Sequence, residues 1–101
     1  MKNGEIIYPE SMTVREVVKT IGISNASSFN ICLNALPDGN NLVDMGTYPT
    51  GEMCAVPVML GFFGDCLVDW YSNGDDQESE RNYYICLLAG DFTPAMPQKS
   101  A

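Results

Sequence analysis

Thirteen Asp and Glu, four Cys and one Trp are the groups in this chain best suited to chemistry, and there is no His among its residues. The missing imidazole removes the commonest general base and every Ser-His or Cys-His nucleophile arrangement. Cys32, Cys54, Cys66 and Cys86 include no Cys-x-x-Cys pair, the spacing a zinc site without histidine would need. Cys66 and Cys86 instead fall in apolar, strand-like runs, where reduced cysteine acts as a small buried hydrophobe. Asn73, Asp75, Asp76, Glu78 and Glu80 gather oxygen ligands, but Gly74 comes second in that run. A calcium loop wants its glycine sixth and a glutamate twelfth. Gly61-Phe62-Phe63-Gly64 is followed by Asp65, with no lysine nearby, and reads as a tight turn rather than a phosphate cradle. Carboxylate pairs such as Asp65 with Asp69, or Asp75 with Asp76, have the residue types for acid-base work. On so acidic a chain they read as solvated groups. The expectation is a protein with no catalytic residues, no metal and no cofactor.

The charges are lopsided, with five Lys and Arg against the thirteen carboxylates and a formal net charge of −8. Between Lys19 and Arg81 there is no basic residue, while Asp38, Asp44, Glu52, Asp65, Asp69, Asp75, Asp76, Glu78 and Glu80 all lie inside that stretch. Direct binding to a phosphate backbone is disfavoured. A one-sign field serves solubility, and it also steers a basic partner and imitates the charge of a nucleic acid. The candidate contact surface is the acidic run Asp75, Asp76, Glu78 and Glu80 with Asp65 and Asp69, and with Trp70 and Tyr71 as aromatic anchors.

These residues need elements to hold them. The 101 residues, 46% hydrophobic, suit one domain over 1–92 followed by a flexible tail over 93–101. Thr13 and Glu16 form a capping-box pattern, Met12 and Val17 a hydrophobic staple, and Val14, Val17, Val18 and Ile21 share one face. This spacing predicts a helix over about 14–21, ended by Gly22 and preceded by a short strand over Glu5 to Tyr8. Phe29, Ile31, Leu33 and Ala35 alternate with Asn30, Cys32 and Asn34, and the turn-rich Pro37 to Asn41 leads into Leu42 to Met45, a hairpin. A second short helix starts near Val56 or Pro57. The runs 66–71 and 83–88 have strand composition and should pair across the acidic loop. The fold class is therefore α+β, a small single domain with an antiparallel sheet of two hairpins, one N-terminal helix and a second short helix. The longest apolar run, Met53 to Phe63, is eleven residues and contains Pro57 and Gly61, too short and broken to span a bilayer. No signal-peptide core follows the first residues, which points to the cytoplasm.

The length, the acidic stretch, and the pattern from Val56-Pro57-Val58-Met59-Leu60 through Asp65 to Leu67-Val68-Asp69-Trp70-Tyr71, with a second strand at Tyr83 to Leu88, together cover about the last half of the chain. In these it resembles the small acidic proteins of phages and mobile elements, the anti-CRISPR inhibitors among them. That resemblance implies an inhibitor without chemistry of its own, which occupies the basic groove of a nucleic-acid-binding host protein. The alternative is a structural or assembly subunit that self-associates into a homo-oligomer through a sheet edge or the apolar Met53 to Phe63 segment.

Overall fold

The computed structural model describes residues 4–34, 42–74 and 81–88. The first helix, α1 (Val14–Ile21), begins where the capping box predicts: Glu16 N–H donates to the Thr13 hydroxyl, and Thr13 N–H to the Glu16 carboxylate at 2.8 Å. A helix start leaves four backbone N–H groups without intrahelical partners in its own first turn. Here Val14 N–H donates to the Cys66 carbonyl and Arg15 N–H to the Gly64 carbonyl, at 3.0 and 2.9 Å. The N-terminus of α1 is thus bonded onto the turn that follows the second helix. Val14, Val17 and Val18 are buried, and Arg15, Glu16 and Lys19 are exposed, as the periodicity requires. Gly22 closes the helix with φ +89°, where an added Cβ would also sit 2.9 Å from the Asn25 amide nitrogen.

Five strands follow the order β1-β4-β5-β2-β3. They are β1 (Ile6–Ile7), β2 (Ser28–Asn34), β3 (Leu42–Pro49), β4 (Val68–Asn73) and β5 (Asn82–Leu87). Both expected hairpins are present, since β2 pairs β3 and β4 pairs β5 antiparallel, and β1 adds antiparallel to β4. The purely antiparallel sheet is corrected in one place: β2 and β5 run parallel, in register from Ser28↔Asn82 to Leu33↔Leu87. Parallel pairing puts β3 and β4 on opposite flanks pointing the same way, so their connection must cross two strands. The second helix, α2 (Ala55–Phe63), makes that crossing. Pro57 sits in its first turn, where the missing N–H costs nothing. Cys66 lies just before β4 rather than within it, though it is buried as expected, and so is Cys86.

Successive strand residues face opposite sides of the sheet. One face carries Phe29, Ile31, Tyr71, Ile85 and Leu87, and onto it pack Val14, Val17 and Val18 of α1 and Val56, Met59 and Phe63 of α2, as one core. The turn Pro37 to Asn41, the loop Asp75 to Glu80 and the tail 93–101 lie outside the described residues.

The seam between the helices is tightest at Gly64, where a Cβ would run into the Leu60 carbonyl and lie 2.6 Å from an Arg15 guanidinium nitrogen. Gly64→Ala is expected to lower stability by about 1–3 kcal/mol, the usual cost of overpacking, while Gly51→Ala, with open space around it, changes it by less than about 0.5 kcal/mol. Equal urea midpoints for the two variants would rule out the tight seam.

Candidate interaction surface

The sheet face away from the helices is built in transverse rows. One row runs Asp44, Cys32, Cys86 and Trp70 across β3, β2, β5 and β4. The next runs Thr47, Asn30, Tyr84, Ser72 and Ile6 across all five strands. Neither Trp70 nor Tyr84 belongs to the core cluster, and both are half-buried. Side-chain bonds stiffen this face: the Thr47 hydroxyl donates to the Asn30 amide oxygen at 2.6 Å, and the Asn30 amide NH₂ donates to the Tyr83 carbonyl at 3.2 Å. Ser28 donates to the Asn82 amide oxygen at 3.0 Å at the end where the acidic loop departs.

Strand alternation separates the two aromatic anchors the sequence groups together. Trp70 stands on the open face, whereas Tyr71 points into the core at 7% exposure. Burial, and secondarily Tyr83, holds the Tyr71 phenol above its ordinary pKa. The carboxylates are divided as well. Asp69 is the half-buried extra residue of a β-bulge between Val68 and Trp70. Its end of β4 lies roughly 17 Å, about five residues of strand, from the end where the acidic loop begins. Asp75, Asp76, Glu78 and Glu80 lie outside the described residues. Asp65, in the unbroken acidic stretch, does have a cation: Arg15 reaches it from α1, Nη2 to Oδ1 at 3.6 Å. Both groups are exposed, so the pair adds little stability.

Sequence reasoning did not place Asp44, Cys32 or Tyr84 on the surface with Trp70. Tyr84 comes there through the β4–β5 pairing, whereas Asp44 and Cys32 depend on the parallel register of β2 and β5, for which there is no local signal. Asp44 accepts from Gly46 N–H at 2.9 Å. Its charge, after burial, raises the pKa values of Cys32 and Tyr48. Cys32 is therefore held as the thiol, the unreactive form. Among the described residues no three His, Cys, Asp or Glu side chains are grouped to hold a metal ion, and no helix is long and apolar enough to cross a membrane.

The described basic side chains gather elsewhere. Arg15 and Lys19 are on α1, and Arg81 Nη2 donates to the Ser24 carbonyl, in the connection between α1 and β2, at 3.0 Å. Among the described residues none stands on the open sheet face. No protein-family model, no curated protein and no solved structure matches the chain.

The thiols should react in order of exposure and pKa. With iodoacetamide at pH 8, Cys54 is expected to alkylate first and Cys32 several-fold more slowly, with Cys66 and Cys86 protected until unfolding. Peptide mapping by mass spectrometry reads the order, and a Cys32 as fast as Cys54 would contradict the electrostatics. Raised pKa values in the folded state also mean that ionisation opposes folding. The stability associated with Tyr48 and Tyr71 is whole below their ordinary pKa of about 10 and falls as pH rises beyond it. Urea midpoints measured from pH 8 to 11 should decline at the alkaline end, and less so in a Tyr48→Phe variant.

Proposed function

We propose that this is a non-enzymatic, acidic binding protein of the cytoplasm, which engages the basic surface of a nucleic-acid-binding host protein and imitates the charge of its nucleic acid. The observation that supports this reading most directly is that, among the described residues, the sheet face away from the helices carries aromatic and acidic groups and no cation. Trp70 and Tyr84 lie half-buried in adjacent rows of the sheet face away from the helices, with Asp44 in the row of Trp70 and Asp69 next to Trp70 in the chain, while the described cations stand on the helix side or against its connection. A partner with clustered lysines and arginines gains long-range attraction from the carboxylates and anchoring contact from the Trp70 indole. Asp75, Asp76, Glu78 and Glu80, in the sequence between β4 and β5, add four more carboxylates to the chain's acidic balance.

A second reading, self-association as an assembly subunit, is favoured by α2 and its approach. Met53 is 92% exposed, and Val58 and Phe62 also face solvent on a segment without a charged residue.

The two readings separate in one experiment. Host-cell proteins are captured on the tagged chain at low and at high salt, with added DNA as competitor. The mimic reading expects a nucleic-acid-binding protein that is lost at high salt and displaced by DNA. Reversal of Asp75, Asp76, Glu78 and Glu80 to Lys should then weaken capture at least tenfold, and Trp70→Ala should cost about 2 kcal/mol of binding, roughly thirtyfold. Capture of the chain alone, indifferent to salt, would overturn the mimic reading in favour of self-association.

A further inference from the structure

Two of the described cations of this acidic molecule border an apolar groove. Between α1 and α2 run two adjoining hollows of about 390 and 420 Å³, which share Arg15, Ile23 and Leu60. Their floor is Val18, Ile23, Val56 and Leu60, and Arg15 and Lys19 stand at the rim. Ile23 is exposed although it is a large aliphatic residue.

The two cations are four residues apart on one helix, so they share a face and repel each other. The chain has only five basic residues, and two of them stand here, Lys19 in the last turn of α1, where the helix dipole favours a cation. Arg15 spends part of its charge on Asp65, while Lys19 faces solvent. Beside them α2 presents Val56, Pro57, Leu60 and Gly61, and no carboxylate lines either hollow, the nearest being Asp65 on Arg15 and Glu16 on α1. The arrangement is the reverse of the sheet face: an apolar strip flanked by positive charge.

We propose that the α1–α2 groove docks an acidic, amphipathic segment of a partner protein, whose apolar side rests on Ile23 and Leu60 and whose carboxylates meet Arg15 and Lys19. A protein segment fits better than a small molecule because the groove is open along its length. Small-ligand sites enclose most of their occupant, whereas a groove of this kind covers one side and leaves the other to solvent. The spacing of the cations, one helical turn, matches carboxylates three or four residues apart on a helical occupant. This site is independent of the sheet face and would give the molecule two surfaces of opposite charge preference.

Selection of random twelve-residue peptides displayed on phage, against the purified full chain, tests it. Enriched peptides should combine Asp or Glu with aliphatic or aromatic residues, and a synthetic copy of the leading sequence should bind at least tenfold more weakly to Lys19→Glu and to Ile23→Ser. Both substitutions are at exposed positions, and unchanged thermal melting would show that the fold is kept. No enrichment, enrichment of basic peptides, or equal binding to both variants would overturn the proposal. So would a dimer in sedimentation that the same substitutions dissociate, because the groove would then be filled by a second copy. Variants of Trp70 and of the acidic loop should leave peptide binding unchanged, which keeps this result separate from that of the sheet face.

Discussion

The parallel pairing of β2 with β5 is the constraint on which the rest of the molecule depends. Each hairpin alone is two strands with one apolar side, too little to be stable in water. Joined in register from Ser28↔Asn82 to Leu33↔Leu87, they place Phe29, Ile31, Ile85 and Leu87 on one surface wide enough for two helices. The same pairing forces the chain between β3 and β4 to cross the sheet, and α2 is the element that crosses. The two faces then acquire their separate characters: odd-numbered residues of β2 and β5 go to the core, and even-numbered ones to the open side.

The helix side is held by backbone bonding as much as by apolar contact. The first N–H groups of α1 are taken up by carbonyls of Gly64 and Cys66, so α1 cannot shift without breaking the turn that leads into β4. Val68 N–H adds a bond to the Met12 carbonyl, and Thr13 bridges to Leu67. The approach to α1, the end of α2 and the start of β4 therefore move as a unit. Gly64 sits at their junction because any side chain there would occupy space already held by Leu60 and Arg15.

This architecture also keeps the described cations off one face of the sheet. A net charge of −8 repels itself least when carboxylates are spread over exposed loops, edges and an open face. Of the described cations, Arg15 and Lys19 are on α1, and Arg81, just before β5, is bonded to the connection between α1 and β2, away from the open sheet face. Asp65 lies at the boundary, in the turn between α2 and β4, paired with Arg15 of α1. The open face has the polar ladder and aromatic groups suited to a flat contact, and the α1–α2 groove has the apolar floor suited to an inserted one.

Much of the local structure was legible in the residues. Thr13 and Glu16 mark the start of α1 because capping is a short-range bond, and Gly22 marks its end because few residues accept a positive φ. The alternation from Phe29 and the strand composition around Trp70 and Tyr84 predict both hairpins, since period-two burial is written in neighbouring residues. A strand's sequence does not say which other strand lies beside it. The parallel join of β2 and β5, the row that brings Asp44 and Cys32 to Trp70, and the pairing of Asp65 with Arg15 come from contacts between residues 12 to 54 positions apart. Trp70 and Tyr71 look equivalent in the chain, and the pleat sends one to the open face and the other into the core. The sequence by itself determined the elements, their order and the acidic balance, because these depend on local bonds and composition. Only the tertiary structure decided which residues share a face, because that depends on a register that forms when distant strands meet.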